Sequence, residues 1–126
     1  MERNQFNNGV LYLNGGKIST SDLQWNSHPA YHGVALKHLI EGATTNNEFS
    51  CHLVKIEPNC EIELHNHAGK TELHEVIQGS GICTLESNEL EYEPGNVGIL
   101  PADKNHSVKA GEQGLLLLAK FFPALL

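Results

Sequence analysis

The sequence has little positive charge and no long apolar run. Eight Lys and Arg face fifteen Asp and Glu, which gives a net charge of −7 at pH 7. Such a surface repels phosphate backbones, so we expect no nucleic-acid partner. The longest apolar stretch, around Leu115 to Ala119, is far shorter than the roughly 20 residues of a membrane-spanning helix. We therefore also expect no membrane partner.

Cysteine is scarce and irregularly spaced. The three cysteines, Cys51, Cys60 and Cys83, cannot all pair with one another, and the sequence contains no C-x-x-C motif. Such a set fits a reducing compartment better than a secreted disulfide framework. The first ten residues lack a basic segment followed by an apolar run, so we expect no signal peptide. Together these features predict a cytoplasmic protein.

The length and the turn pattern indicate one all-β domain. A chain of 126 residues without repeats or linkers matches the usual size of a single domain, 1–126. Gly, Pro, Asn and Asp recur at short intervals, and the segments between them often alternate apolar with polar residues, which predicts a β-sandwich or barrel. One short segment, 19–25, is a candidate helix. The predicted strands are 34–40, 49–57, 61–65, 72–78, 81–86, 89–92, 97–100, 107–110 and 115–122.

Histidine is abundant, and two histidines stand two residues apart. On an extended strand the side chains of His65 and His67 leave the same face, with Cα atoms roughly 6.6 Å apart. Glu72 follows after a short turn and can return on the adjacent strand, while His106 opens a later strand. Three imidazoles and one carboxylate suit Fe, Mn, Ni, Cu or Zn better than Ca or Mg. Because paired surface histidines are common, spacing alone also allows the alternative that these residues bind no metal.

The stretch 59–79 resembles the first motif of the cupin family, G-x5-H-x-H-x3-4-E-x6-G. Its last four fixed positions correspond to His65, His67, Glu72 and Gly79, with the spacing of the motif. Four fixed residues at the correct separation make this a more specific signal than the histidine pair alone.

The stretch 95–110 resembles the second cupin motif, G-x5-P-x-G-x2-H-x3-N. Gly95, Pro101 and His106 occupy its first glycine, its proline and its histidine. The short gap between the motifs, 80–94, is similar to that of small single-domain bacterial cupins of the RmlC-like type.

The sequence departs from the motifs at three positions. Asn59 and Asp103 stand where the motifs have glycine, and Ala110 replaces the final asparagine. Because Asn and Asp tolerate the left-handed backbone region better than other non-glycine residues, we expect both turns to be preserved. Ala110 is not at a ligand position.

The resemblance implies an all-β double-stranded β-helix, the cupin jelly-roll barrel, with a motif core at about 59–110 and an N-terminal arm at about 1–33. It implies a homodimer as well, because the first strand of such proteins, around 10–13 here, often pairs with a second subunit. It further implies one divalent transition metal per chain (Fe, Mn, Ni, Zn or Cu). The implied metal ligands are His65, His67, Glu72 and His106.

Cupins include dioxygenases, decarboxylases, isomerases, lyases and sensor domains, so the fold does not fix the function. We expect a metal-dependent enzyme that acts on a small organic substrate bearing a carboxylate, a carbonyl or vicinal oxygens. Dioxygenase-like oxidative chemistry is slightly favoured over isomerase, lyase or decarboxylase chemistry. The alternative is a metal-containing cupin that binds or senses a small molecule without catalysis.

Other residues near the motifs allow less specific predictions. His74 lies two residues after Glu72 and shares its face, so we interpret it as a catalytic base or a partner of the ligands, the alternative being a hydrogen-bonded core histidine. The direction of His52 is undecided, since both faces of its strand are apolar. We expect the loop 28–32 to be solvated, the alternative being that it caps the barrel mouth. We expect the apolar end 121–126 to pack on the barrel or on a partner subunit.

Overall fold

The computed structural model describes residues 5–126, which form ten antiparallel strands and three single 3-10 turns. None of the described residues forms an α-helix, and none forms a helix that could cross a membrane. The strands are β1 (Val10–Leu13), β2 (Gly16–Ser19), β3 (Trp25–Ser27), β4 (Val34–Ile40), β5 (Ser50–Ile56), β6 (Glu61–His65), β7 (Thr71–Leu85), β8 (Asn88–Tyr92), β9 (Val97–Leu100) and β10 (His106–Phe122).

The sheet has the jelly-roll arrangement predicted from the sequence. Strands β1 and β2 form a separate hairpin, and the other eight follow the order β3-β4-β5-β10-β7-β8, with β6 beside β10 and β9 beside β7. The two longest strands, β7 and β10, lie at the centre of this order, and each pairs with different strands along its two halves. The first half of β7 pairs with β9 and the second with β8, whereas β10 pairs first with β6 and then with β5.

Glycines bend the two central strands. The register between β7 and β10 is interrupted between Ala110 and Leu115, opposite Gly79. Gly79 has φ +83°, and a Cβ placed on it would lie 2.1 Å from the carbonyl oxygen of Gly114. Only glycine combines this backbone conformation with so close an approach of two chains. The bend lets one continuous strand contribute to both walls of the barrel.

Alternation along the central strands separates an interior from an outer core. Val54, Leu117 and Phe121 belong to the buried cluster inside the barrel. Leu53 and Leu118, their neighbours on the opposite face, form a second cluster with Trp25, Ile40 and other partly buried residues. Both faces of β5 are therefore buried, which explains why its alternation could not be interpreted from the sequence. The interior face carries His52.

Some element boundaries differ from those predicted. The strands predicted at 72–78 and 81–86 are one strand, β7, and those at 107–110 and 115–122 are one strand, β10. The helix predicted at 19–25 is wrong.

That segment forms one 3-10 turn, Thr20–Asp22, followed by β3. Pairing of Trp25 with Lys37 of β4 draws the segment into the sheet, so tertiary contacts override its weak local preference. Strand 10–13 is confirmed, and its neighbour is β2 of the same chain.

Candidate metal centre

Three strands bring the four predicted ligands together at one end of the barrel. β6 ends at His65 and β10 begins at His106, and these two residues are paired in the β6–β10 register. Glu72 enters on β7 with its side chain buried inside the barrel, and His67 lies on the turn between β6 and β7. One ligand atom from each of the four residues lies within 4.8 Å of the others. Residues 41 positions apart along the chain thus meet in space.

The distances and the unsatisfied atoms fit a transition metal. Adjacent ligands of one ion are about 3.0–3.4 Å apart when each bond is about 2.1 Å. Glu72 Oε1 lies 3.3 Å from His106 Nε2 and 3.7 Å from His67 Nε2. Glu72 Oε1 and His106 Nε2 are both buried, and neither has a hydrogen-bond partner. Because buried polar atoms are normally satisfied, two such atoms 3.3 Å apart fit the positions of two donors to one cation.

The backbone selects the ring nitrogen that each of two histidines offers. Nδ1 of His65 lies 2.7 Å from the carbonyl oxygen of Glu63, and Nδ1 of His106 lies 3.0 Å from that of Lys104. A carbonyl oxygen can only accept, so Nδ1 carries the proton in both rings. The lone pair is then on Nε2, which in His106 lies 3.3 Å from Glu72 Oε1. Such bonds are the usual means of fixing the tautomer and orientation of a ligating histidine.

Burial and charge favour the protonation state that a metal requires at three of the four residues. Burial lowers the pKa of His65 and of His67, which keeps both imidazoles neutral. Burial alone would raise the pKa of Glu72, but His74, His106 and His67 outweigh it and hold that pKa well below its ordinary value. Burial likewise opposes a charge on His106, yet the Glu72 carboxylate raises the pKa of His106 on balance, so a cation would displace a proton from this ring. The site is therefore a carboxylate surrounded by imidazoles.

The loops that carry the ligands are tied to one another. The amide of Asn66 donates to the Oδ1 of Asn105 at 2.8 Å, and the backbone N–H of Gly69 donates to Asp103 Oδ1 at 3.0 Å. Lys70 Nζ donates to the carbonyl oxygen of Ala124 at 2.9 Å. These contacts attach the turn after β6 to the loop before β10 and to the chain end, so His67 and His106 are held by one network.

The structure places His74 beside Glu72, with both of its ring nitrogens hydrogen-bonded. Nε2 lies 2.6 Å from Glu72 Oε2, and Nδ1 lies 2.8 Å from the hydroxyl oxygen of Tyr92. All three side chains are buried. His74 is thus linked to the cluster through its carboxylate, and its role as a catalytic residue stays a prediction.

His52 is inside the barrel but outside the ligand cluster. Its ring is fully buried, and its nitrogens lie 2.8 Å from His38 Nδ1 and 2.8 Å from Ser50 Oγ. The ring of Phe121 stands between the two groups, with its centroid 5.7 Å from that of His52 and 5.0 Å from that of His67. His52 therefore belongs to a separate hydrogen-bonded network.

The loop 28–32 reaches the edge of the site through two of its side chains, while its other three residues are exposed as expected. The rings of His28 and Tyr31 are stacked with centroids 4.5 Å apart, and Tyr31 lies 6.4 Å from the ring of His65. His28 and Tyr31 are half-buried, whereas His32 is exposed. The chain end packs on this same chain, where Ala124 is buried and the N–H of Leu125 donates to Ser50 Oγ.

The sequence does not single out Tyr92, and it places Tyr31 only within the loop 28–32. Tyr92 reaches His74 from β8, and Tyr31 reaches His65 from a loop, so neither shares a strand with a ligand. No spacing rule links residues on different strands when the register is not known. Only the single isolated tyrosine in each segment could have drawn attention to them.

Comparison with known proteins gives a family match and distant structural neighbours. The family model described as "Cupin domain" matches residues 52–119. Comparison with the sequences of curated proteins gives no match. The fold is similar to that of a predicted oxalate decarboxylase from Thermotoga maritima (TM-score 0.74, 21% identity, covering 82% of this chain and 95% of that one).

Two further solved structures show the same similarity. KdgF from Halomonas sp. has a TM-score of 0.72 and 20% identity, and the match covers 82% of this chain and 90% of that one. The polyketide cyclase RemF from Streptomyces resistomycificus has a TM-score of 0.73 and 19% identity, covering 83% and 77%. At this level of identity the likeness establishes the fold alone.

Proposed function

This chain belongs to the cupin family, and from that premise and the geometry of its site we propose that it is a metal-dependent enzyme acting on a small organic substrate. The observation that carries the proposal is the pair of buried, unpartnered atoms, Glu72 Oε1 and His106 Nε2, within a cluster of three imidazoles and one carboxylate. The residues that would hold one divalent transition metal are His65, His67, Glu72 and His106.

The donor set determines what such a site can bind. A divalent ion there would supply Lewis acidity toward substrate oxygen atoms and, if it is iron, a route to oxidative chemistry. One carboxylate balances only one of its two positive charges, so a net positive charge remains in a largely buried place. The three neutral imidazoles do not reduce it further. The site therefore favours a substrate with a carboxylate, a carbonyl or vicinal oxygens.

The residues around the cluster support a defined direction of access. Glu72 and His106 are buried, whereas His65 and His67 are only partly so. The exposed side of the cluster is thus the side of His65 and His67. The stacked rings of His28 and Tyr31 lie on this side. The ring of Tyr31, with its centroid 6.4 Å from that of His65, would contact a substrate that enters there.

The reaction class is the finer part of the proposal. Dioxygenase-like chemistry is one candidate. Two structural neighbours are described as a predicted oxalate decarboxylase and a polyketide cyclase, which supports non-oxidative chemistry as an equal candidate. The test is turnover of panels of small acids, sugars and phenols by metal-loaded protein, with and without dioxygen. We expect turnover by the wild type and none by His65→Ala, which lacks one ligand. Full metal occupancy with no turnover in any panel would instead identify a binding or sensor cupin.

We also propose that the chain forms a homodimer in the cytoplasm and binds neither nucleic acid nor membrane. The outer face of β9 exposes Val97 and Ile99, at 62% and 54% of their surface, which supports contact with a second copy. Cys51, Cys60 and Cys83 are all free thiols, which suits a reducing compartment. Light scattering should give a dimer mass for the wild type and a monomer mass for Ile99→Glu. A monomeric wild type at micromolar concentration would contradict the dimer.

A further inference from the structure

We propose that Tyr92 is a positioning residue for the metal site, which acts through His74 to fix the carboxylate of Glu72. The inference rests on the proposed metal-binding function, since it concerns how one of the four ligands is held. Tyr92 lies on β8, a strand that contributes no ligand. It extends the site to a part of the barrel that neither cupin motif includes.

Three buried side chains form a continuous chain of hydrogen bonds. Tyr92 is 1% exposed, His74 3% and Glu72 6%, so water does not compete for these contacts. The Tyr92 hydroxyl lies 2.8 Å from His74 Nδ1, and His74 Nε2 lies 2.6 Å from Glu72 Oε2. At 2.6 Å the contact to the carboxylate is slightly shorter than the roughly 2.7–2.9 Å of a charge-assisted N–H···O hydrogen bond.

The direction of the protons follows from the chemistry of the two ends. A carboxylate only accepts, so Nε2 of His74 carries a proton and donates it to Glu72. In the neutral ring Nδ1 is then an acceptor, which requires a donor at Tyr92. Burial raises the pKa of Tyr92, and Cys83 raises it further through its charge and a hydrogen bond, so the hydroxyl stays protonated and Cys83 is a second partner for it. Tyr92 therefore selects the ring form of His74 that holds Glu72.

The consequence for the site is that Glu72 presents one oxygen only. Oε2 is engaged by His74, whereas Oε1 is directed toward His106 and His67 and has no hydrogen-bond partner. A free carboxylate could rotate and offer either oxygen or both. With His74 held from behind by Tyr92, the ligand oxygen is oriented before a cation arrives, which lowers the cost of binding.

Gly98 makes room for the tyrosine hydroxyl. It pairs with His74 in the β7–β9 register, and a Cβ placed on it would lie 2.4 Å from the Tyr92 hydroxyl oxygen. Its backbone is not in the left-handed region, so an alanine at this position meets a steric obstacle and no conformational one. The absence of a side chain at Gly98 therefore serves the position of Tyr92, and Gly98→Ala is a second, independent probe of it.

The first measurement needs no metal. Nitrogen-15 NMR of the imidazoles in metal-free protein at pH 8 reports which ring nitrogen of His74 carries the proton. We expect only the Nε2–H form in the wild type and a mixture of forms in Tyr92→Phe, which keeps the ring packing. A wild type with the proton on Nδ1, or a Tyr92→Phe spectrum identical to that of the wild type, would overturn the proposal.

The second measurement is the affinity for Co²⁺, by competition with a chromophoric chelator, together with the visible spectrum of the bound ion. We expect Tyr92→Phe and Gly98→Ala each to weaken Co²⁺ binding by about tenfold, which is the lower end of the loss of affinity caused by removing an outer hydrogen bond. We also expect each variant to shift the visible spectrum. The matched control is Tyr12→Phe, which removes a hydroxyl from a tyrosine that is 74% exposed and should change neither. Unchanged affinity and spectrum in both site variants would contradict the proposal.

A double variant separates positioning from general stability. If Tyr92 acts through His74, then adding Tyr92→Phe to His74→Gln weakens Co²⁺ binding by less than a further twofold. Losses that multiply would show that Tyr92 acts independently of His74 and would overturn the proposal. A wild type that binds no Co²⁺ would refute the proposed function instead, while the NMR comparison still decides whether Tyr92 orients His74.

Discussion

The Nδ1 atoms of His38 and His52 lie 2.8 Å apart in the wall of the barrel. A hydrogen bond between two ring nitrogens requires one donor and one acceptor, so at least one ring must be neutral at that nitrogen. His52 also meets Ser50 Oγ with its other nitrogen. The network can therefore hold only a limited number of protons, and its stability depends on pH.

Acid should destabilise the protein partly through His52. Burial, with a smaller contribution from His38, lowers the pKa of His52 to about 4. The unfolded chain takes up this proton near pH 6.5, so stability falls as the pH falls from about 6.5 to about 4 and the contribution is constant outside that range. The full effect is about 3 kcal/mol. Urea unfolding of metal-free protein at several pH values measures it.

His52→Gln provides the comparison for this pH effect. The variant lacks the titrating ring, so the difference in unfolding free energy between the wild type and the variant should shrink as the pH falls from 6.5 to 4. Parallel pH profiles for the two proteins would show that His52 does not bind protons differently in the folded and unfolded states.

Replacing Gly79 by alanine should be among the most destabilising single changes in the sheet. The left-handed backbone costs a non-glycine residue about 1–2 kcal/mol, and the added Cβ would lie 2.1 Å from the oxygen of Gly114. Gly69→Ala is the matched control, because Gly69 has φ +69° with no other atom within 4 Å of the added Cβ. We expect a loss of about 1–2 kcal/mol for Gly69→Ala and clearly more for Gly79→Ala. Equal losses by urea unfolding would mean that the bend relaxes around the new methyl group.

The interior cluster should carry most of the packing energy. Leu117 is 1% exposed and lies between the two walls, so Leu117→Ala should cost about 2–5 kcal/mol through lost burial and a residual cavity. Leu64 has the same side chain but is 63% exposed, and Leu64→Ala should change stability by no more than about 0.5 kcal/mol. Similar effects at the two positions would contradict the assignment of inner and outer faces.

The sequence predicts the composition of the candidate site better than its surroundings. The four side chains proposed as ligands do converge, because a strand and a turn fix the relative positions of His65 and His67 and sheet pairing brings in His106. The tolerance expected at the two departures from glycine is confirmed, since Asn59 has φ +62° and Asp103 has φ +69°. These features depend on local chain geometry, which spacing and residue type express directly.

The remaining features depend on register and curvature, which spacing does not express. Gly79 lies at a bend inside β7. A glycine at the end of a strand gives the same sequence pattern, so the sequence predicts two strands where the structure has one. The direction of His52 was undecided because an outer cluster covers the other face of β5. Tyr92 stands at the end of β8, which pairs with β7, and its hydroxyl contacts His74 beside Gly98.

The metal content of protein purified without chelator tests the central claim most directly. Elemental analysis of the wild type should give close to one divalent transition metal per chain, and His106→Ala, which removes a buried and otherwise unpartnered nitrogen, should lose it while remaining folded. The loss of affinity should exceed the roughly 10–100-fold expected for an outer hydrogen bond. A wild type without bound metal even after incubation with Fe²⁺, Mn²⁺, Ni²⁺, Cu²⁺ or Zn²⁺, or a His106→Ala variant with unchanged metal content, would contradict it.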